Sequence, residues 1–305
     1  MTTTGTDRDP AEEAGAGSER GGIDVFDSLL VRQPIDPGET AAVRELLAAW
    51  ARDNREGDAG TLLPAAGVNL VTLFLDRGGF GAPTSAGGRE EGDALVWYVE
   101  VDDDGQEPWT DPAQALRASP LFGAGLEDLV GAGTVYADGR AGCRLVTHAT
   151  NPDRRDRYDR HVGRPLLAPV AGDDLPLPVV LTALRLRPGL RTRLVARGID
   201  LVNWLKGFDP VARWARDQTD TLEAEAMYTE SLLFDPTGER PVVRYYMETE
   251  EMDRLYDAFE ASSNWEVRLS NWLFRRIFED AEDFFTPPLE TDCEVVLHAV
   301  DPGRP

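Results

Sequence analysis

The chain has 305 residues, 42% of them hydrophobic, and a formal net charge of −24 at pH 7. This length and composition suit two globular domains, each able to bury a core. The acidic charge argues against nucleic acid and against an anionic membrane as partners, because both require a basic surface.

The composition also indicates a habitat. No apolar run approaches the length of about 20 residues that crosses a bilayer, and no charged-then-apolar signal pattern opens the sequence. We therefore expect a cytoplasmic protein. Of 31 basic residues only Lys206 is a lysine, and an acidic, lysine-poor surface is similar to that of halophilic archaeal proteins. Such a surface is tolerable at molar salt, where the Debye length falls to about 3 Å.

The first half of the chain begins with a polar segment, 1–22, that we predict to be a disordered acidic tail. Hydrophobic periodicity then predicts the following elements, in order: a strand at 23–34, a helix at 38–54, a strand at 68–76, a Gly-rich hairpin loop at 78–93, a strand at 94–101, a helical region at 111–131 broken near Ser119-Pro120, and a strand at 141–149.

A segment rich in Arg, Asp and Pro, 155–177, is typical of a linker. The second half then predicts these elements: a strand at 178–187, helical sequence at 191–218, strands at 226–235 and 241–249, helices at 250–260 and 264–279, and a strand at 293–300. The apolar stripe of the last helix, which includes Trp272 and Ile277, is interpreted as core, with an oligomer contact as the alternative.

The two halves repeat each other, most closely in their last strands. Six residue pairs are identical at one constant spacing: Cys143/Cys293, Val146/Val296, His148/His298, Ala149/Ala299, Pro152/Pro302 and Arg154/Arg304. Each half also has the order strand-helix-strand-strand-helix-strand, which is that of the ferredoxin-like unit. We therefore predict an α+β fold of two tandem ferredoxin-like units, at 23–154 and 178–305, packed sheet to sheet.

Three motifs of the second half carry a resemblance to known proteins: Tyr228-Thr229-Glu230, Arg244-Tyr245-Tyr246-Met247-Glu248 and His298-Ala299-Val300-Asp301-Pro302. They resemble a family of uncharacterised haloarchaeal proteins of domain-of-unknown-function type, well over 178–305 and more loosely over 23–154. The chain also resembles a fused form of the dimeric α/β-barrel superfamily, which implies a pseudo-dimeric α/β barrel. Because that superfamily includes monooxygenases, isomerases and polyketide cyclases, the resemblance implies an enzyme as one alternative.

Strand alternation predicts which side chains of each half face the other half. On the third strands, Tyr98 and Glu100 are expected to face the partner sheet, matched by Tyr246 and Glu248. On the fourth strands, the same orientation is expected for Arg144, Val146 and His148, matched by Glu294, Val296 and His298. The opposite, helix-facing orientation is expected for Cys143, Leu145, Thr147 and Ala149, matched by Cys293, Val295, Leu297 and Ala299.

These faces supply the candidate site residues. The catalytic candidates are His148, His298, Glu100 and Glu248, and the ligand-binding candidates are Tyr98, Tyr246 and Arg185. In a ferredoxin-like sheet of order 4-1-3-2, Glu100 and His148 lie about 10 Å apart. They could therefore hold a ligand from two sides but could not form a direct acid–base pair. Either Arg185 or Arg187 is expected to lie beside Glu248 and pair with it.

Three hypotheses for function follow. The favoured one is a small-molecule-binding protein with its ligand between the sheets; the alternatives are an enzyme using these His and Glu residues, and a structural or assembly module. A cavity of about 300 Å³ or more lined by Tyr98, Glu100 and His148 would favour the first two, and a filled interface the third. No metal-ligand spacing, phosphate loop or nucleophile elbow occurs, so no metal and no cofactor is predicted. A homo-oligomer is left open.

Overall fold

The computed structural model describes these residues: 27–54, 59–64, 67–77, 92–101, 112–131, 144–151, 154, 157, 168–169, 177–187, 197–198, 222, 227–235, 242–250, 272, 274–279, 281, 291 and 293–301. The predicted tail at 1–22, the predicted helix at 251–260, and most of the predicted linker and of the helical sequence at 191–218 lie outside them.

The first half contains the predicted elements in the predicted order. They are β1 (Asp27–Pro34), α1 (Thr40–Asp53), α2 (Ala59–Leu62), β2 (Val68–Asp76), β3 (Ala94–Val101), α3 (Pro112–Arg117), α4 (Pro120–Gly123), a 3₁₀ turn (Leu126–Asp128) and β4 (Arg144–Thr150). The predicted break between α3 and α4 is confirmed. Ser119 caps α4 by accepting a hydrogen bond from the Leu121 amide, and Pro120 occupies the first helical position, where a missing N–H costs nothing.

The described residues that follow β4 form five strands. They are β5 (Ala168–Pro169), β6 (Val179–Arg185), β7 (Met227–Asp235), β8 (Val242–Thr249) and β9 (Cys293–Val300). Four of them match the predicted strands of the second half. The short β5 lies in the segment predicted as linker, where no strand was predicted.

The strands form two antiparallel sheets that pack face to face. The first sheet has the order β1-β3-β2-β9-β5 and the second has the order β4-β7-β8-β6. Strand β1 also lies beside β4, and β6 lies beside β9, with Cα atoms within 8 Å. The eight long strands therefore enclose one core, and the fold is α+β, with two ferredoxin-like units arranged as a pseudo-dimeric α/β barrel.

The fourth strand of each half is exchanged with the other half. Strand β4 pairs with β7, and β9 pairs with β2. The expected strand order, in which each fourth strand is hydrogen-bonded to the first strand of its own half, is therefore wrong. The exchange covers the outer edges of β2 and β7, whose backbone groups would otherwise lack a neighbouring strand.

A bulge in each exchanged strand changes which side chains face the core. The register shifts between Leu145 and Thr147 in β4 and between Val295 and Leu297 in β9, so that Val146 and Val296 are the extra residues. An extra residue reverses the alternation of the residues before it. The two bulges fall at the same position of the repeat, which supports a duplicated origin.

The predicted faces of the fourth strands are consequently wrong before the bulge and at the bulge itself, and right after it. Leu145, Val295 and Cys293 pack between the sheets. Val146 and Val296 pack under the helices, and Glu294 reaches Arg44 of α1 at 2.6 Å. The side chains predicted correctly include His148, His298, Ala149 and Ala299. The side chains of Cys143 and Arg144 lie outside the described residues.

Helices cover the outer faces of both sheets. Over the first sheet, α1 contributes Val43, Leu47 and Ala51, spaced four residues apart so that they share one helix face. Over the second sheet, Ile277 packs as predicted against the core, together with Phe278.

The last predicted helix is not apolar along its whole stripe. Trp272 is 53% exposed and carries the Arg276 guanidinium over its ring at 4.8 Å, so its assignment to the core is wrong. Among the described residues, no helix combines the length and the apolar character that crossing a membrane requires.

Candidate functional site

Tyr98 of β3 and Tyr246 of β8 lie at the centre of the interface between the sheets. Their rings stack with centroids 3.6 Å apart and planes 10° from parallel, and both side chains are fully buried. Two residues further along each strand, Glu100 and Glu248 share the same face. The predicted grouping of each tyrosine with its glutamate is confirmed, because each hydroxyl donates to the neighbouring carboxylate.

A chain of hydrogen bonds links His148 to Glu100. The Tyr98 hydroxyl donates to Glu100 Oε1 at 2.8 Å and lies 2.6 Å from Ser231 Oγ. Ser231 Oγ lies 2.7 Å from His148 Nδ1. His148 and Glu100 are thus connected through two hydroxyl groups of opposite halves, which agrees with the prediction that they cannot form a direct pair.

A second chain of hydrogen bonds repeats the first about a pseudo-twofold axis. The Tyr246 hydroxyl donates to Glu248 Oε1 at 2.6 Å and lies 3.3 Å from Thr72 Oγ1. Thr72 Oγ1 lies 2.8 Å from His298 Nδ1. Thr72 of β2 therefore takes the place that Ser231 of β7 has in the first chain.

The direction of both chains follows from what each group can donate. A carboxylate only accepts, so each tyrosine hydroxyl commits its proton to its glutamate. Ser231 and Thr72 must then donate to the tyrosine oxygens, and both histidines must donate from Nδ1. The other ring nitrogen of His148, Nε2, lies 3.2 Å from Thr150 Oγ1.

Arg154 joins the two chains. Its Nε donates to Glu248 Oε2 at 2.5 Å and its Nη2 to Glu248 Oε1, and its Nη1 donates to Glu100 Oε2 at 3.2 Å. The guanidinium is buried, with 2% of its side chain exposed, and both carboxylates are fully buried. We call the joined set the inter-sheet network; it consists of His148, Ser231, Tyr98, Glu100, Arg154, Glu248, Tyr246, Thr72 and His298.

His298 is neutral in this environment. Burial lowers its pKa to about 4, and the nearby Arg154 acts in the same direction. Glu248 opposes this shift more strongly than Arg154 supports it, but burial outweighs Glu248. Because His298 is fully buried and neutral, it holds its proton on Nδ1, toward Thr72, and keeps Nε2 as an acceptor.

A charged cluster lies near Arg154, closer to the surface. Arg157 Nη1 pairs with Glu250 Oε1 at 2.7 Å, and both side chains are about one-third exposed. Arg157 Nε also donates to the Tyr228 hydroxyl at 2.9 Å, and burial raises the pKa of that hydroxyl. This end of the core therefore carries a further carboxylate at the surface.

The opposite end of the core holds a charge cluster of the reverse composition. Asp76 lies between Arg32 and Arg244, with its Oδ2 at 3.6 Å from Arg32 Nε and at 3.5 Å from Arg244 Nη1. All three side chains are at least 96% buried. One end of the core thus pairs two acids with one arginine, and the other end pairs two arginines with one acid.

The structure brings together six of the seven predicted site residues, all except Arg185. In the pairing of β6 with β8, Val179 lies opposite Glu248 and Arg185 lies opposite Val242, at the far end of the strand. At about 3.3 Å per residue this places Arg185 roughly 20 Å along the strand from Glu248. The expected ion pair between them is wrong, and Arg154 takes that role.

Three residues of the network were not among the predicted site residues: Arg154, Thr72 and Ser231. Arg154 belongs to the identical pair Arg154/Arg304, so the repeat itself contained the signal. Thr72 and Ser231 are hydroxyl residues at equivalent positions, each just before a matched segment, Leu73–Asp76 and Leu232–Asp235. Equivalent polar residues inside buried strands were the sign that could have identified both.

Space for a ligand is found at a different place. A cavity of about 440 Å³ opens at the surface, lined by Arg32, Pro34, Ile35, Asp36, Pro37, Gly38, Thr40, Gly92 and Asp93. It shares no residue with the inter-sheet network. Within the described part of the chain, no three His, Cys, Asp or Glu residues cluster so that they could hold a metal ion.

The fold and the network define an α+β protein of the pseudo-dimeric α/β-barrel class with a polar, charged interior. No family model and no curated protein matches the sequence. Among solved structures, the chain is similar to a protein from Fusobacterium nucleatum named "Putative monooxygenase", with 9% identity, coverage of 91% of this chain and 94% of that chain, and a TM-score of 0.38. A likeness this distant carries no argument about activity.

Proposed function

We propose that this chain is a small-molecule-binding protein whose site is the inter-sheet network. The observation that supports the proposal is the convergence of Glu100 and Glu248, from different sheets, on one buried guanidinium. Replacing a buried ion cluster with apolar side chains is often neutral or stabilising. A core that served only to hold the sheets together would therefore gain little from these charges.

The network also has the features of a prepared receptor. Each carboxylate is held by a tyrosine hydroxyl, each tyrosine by Ser231 or Thr72, and each of these by a histidine. A ligand that met these groups would find them already oriented, which lowers the cost of binding. We further propose that the protein belongs to the salt-adapted haloarchaeal family that its second half resembles.

A structural module is the second candidate, and one observation favours it. Glu100, Glu248, Tyr98, Tyr246 and His298 have no exposed surface, and the two tyrosine rings are in contact. The interface is therefore filled in this conformation, which is the outcome expected if the network only fixes how the sheets dock. A ligand could enter only if a side chain of the network moved.

The enzyme alternative has less support. Fold alone does not determine function, and the hydrogen bonds of the network identify no substrate. If the protein is an enzyme, His148 is the better candidate acid or base, because its Nε2 contacts Thr150, which is only partly buried.

A thermal-shift screen of small molecules in molar KCl, followed by mass spectrometry of co-purifying compounds, tests the proposal. We expect at least one compound to raise the Tm of the wild-type protein in a saturable way. The same compound should bind at least about tenfold more weakly to Tyr246→Phe and to the double variant His148→Ala/His298→Ala, which corresponds to about 1.4 kcal/mol.

Tyr245→Phe is the matched control, because Tyr245 lies next to Tyr246 on β8 and faces the helices. Its response to the compound should equal that of the wild type. If no compound binds, and Tyr246→Phe lowers the free energy of unfolding by about 1–3 kcal/mol relative to the wild type, the docking role is correct and the proposal is wrong.

A further inference from the structure

We infer that the network is a receptor for an organic cation of guanidinium or alkylammonium type, and that Arg154 is a tethered occupant of this receptor. This inference rests on the proposed function and gives it a ligand class. It is based on three observations: the contacts of the guanidinium, the position of Arg154 in the chain, and the charge around it.

The contacts of Arg154 are those of a bound ligand. Glu248 accepts two hydrogen bonds from it side by side, from Nε and Nη2, and Glu100 accepts from Nη1 on the other side. A planar guanidinium matches a carboxylate in this two-point geometry better than a spherical cation does. The shape of the receptor therefore selects a flat or multiply donating cation.

Arg154 is the one member of the network that does not belong to a strand. It lies four residues beyond Thr150, the last residue of β4, and its amide donates to the Asn151 carbonyl at 3.0 Å. The Asn151 amide donates in turn to the Tyr228 carbonyl at 2.9 Å. Arg154 could therefore withdraw without the loss of any hydrogen bond between strands, whereas the other eight residues are fixed in the two sheets.

The charge of the emptied receptor would require a replacement cation. Without Arg154, Glu100 and Glu248 would face each other in a buried space, and two like charges there destabilise one another. The surface near this end carries Glu250, paired with Arg157. That pair is neutral overall, so it is the two carboxylates of the receptor that favour positively charged ligands and disfavour anions.

Chemical rescue of Arg154→Ala by N-methylguanidinium tests the inference. In molar KCl, this variant should have a lower Tm than the wild type, and millimolar N-methylguanidinium should raise that Tm by about 2 °C or more, with saturation. The wild type should not respond at these millimolar concentrations and should respond only at concentrations at least about tenfold higher, because its own Arg154 competes for the receptor. Arg157→Ala, which removes a neighbouring arginine outside the receptor, is the matched control and should not respond either.

Two results would overturn the inference: no saturable response of Arg154→Ala, or an equal response of Arg157→Ala. If Arg154→Ala does not fold alone, the yield of folded protein on refolding with and without N-methylguanidinium becomes the measurement, and equal yields overturn the inference. If the screen of the wild type finds only neutral or anionic ligands, and N-methylguanidinium does not rescue Arg154→Ala, the ligand class is wrong and the proposed function is supported. If N-methylguanidinium rescues Arg154→Ala but the screen finds no ligand for the wild type, the receptor is supported and the proposed function is wrong.

Discussion

His298 couples the stability of the protein to pH. Its pKa is about 4 in the folded protein and about 6.5 when unperturbed, because burial disfavours the charged imidazolium. Between these values the unfolded chain binds a proton that the folded chain does not bind. His298 therefore leaves the free energy of unfolding independent of pH above about pH 6.5. As the pH drops from 6.5 toward 4, its titration lowers that free energy.

We expect this titration to remove up to about 3 kcal/mol of stability between pH 6.5 and pH 4. His298→Asn cannot titrate and keeps a donor toward Thr72, so its stability should fall less steeply over this range. Denaturant unfolding in molar KCl at a series of pH values measures the difference. His161→Asn, a change outside the network, is the control; equal slopes for His298→Asn and the wild type would contradict the prediction.

Single residues of the network differ in how far the sequence could predict them. Tyr98, Glu100, Tyr246 and Glu248 were predictable because their orientation depends only on the alternation of a regular strand. Arg154 was marked as a candidate by its identity with Arg304 in the repeat, but its position was not predictable, because it follows the end of a strand and Pro152, where no local period determines the path of the chain. Its contacts are made by two residues distant in sequence, and no short pattern encodes them.

At the scale of elements, the bulges in β4 and β9 determine what each strand contributes to the core. Without the extra residues Val146 and Val296, the same sequence would present the residues before the bulge to the opposite layer. The strands themselves were predicted to within a few residues, because their apolar runs are long. The bulges and the exchange of β4 and β9 were not predicted, because they depend on the partner strand rather than on the strand's own sequence.

The bulge can be tested with a double-mutant cycle. Val296 packs in the same core as Leu47 of α1, whereas Val295 packs between the sheets. We expect Val296→Ala and Leu47→Ala to show an interaction energy of about 0.5 kcal/mol or more in denaturant unfolding. Val295→Ala combined with Leu47→Ala should be additive. The reverse result would mean that β9 is regular and has no bulge.

At the scale of the whole molecule, the net charge of −24 opposes folding at low salt. Raising KCl from about 0.1 M to 1 M shortens the Debye length from about 10 Å to about 3 Å, so repulsion among the exposed carboxylates should weaken. We expect the Tm to rise by several degrees over this range, at about 2–4 °C per kcal/mol. Differential scanning calorimetry measures this rise.

Sucrose at matched osmolality is the control for this experiment, because it stabilises folded proteins without screening charge. If the Tm responds equally to sucrose and to KCl, or to neither, repulsion among surface carboxylates does not lower the stability of the fold appreciably. The sequence alone was sufficient for this prediction, because net charge requires no knowledge of the fold.

The exchange of strands sets an order of events during synthesis on the ribosome. Strands β1, β3 and β2 are complete once residue 101 has been made, yet β9, which pairs with β2, ends at Val300. The nascent chain must therefore keep the outer edge of β2 uncovered while most of the second half is translated. An open strand edge is a site for wrong pairing. Neighbouring ribosomes on one message would each expose this edge, so pairing of β2 with the β9 of another copy is the expected route of misassembly.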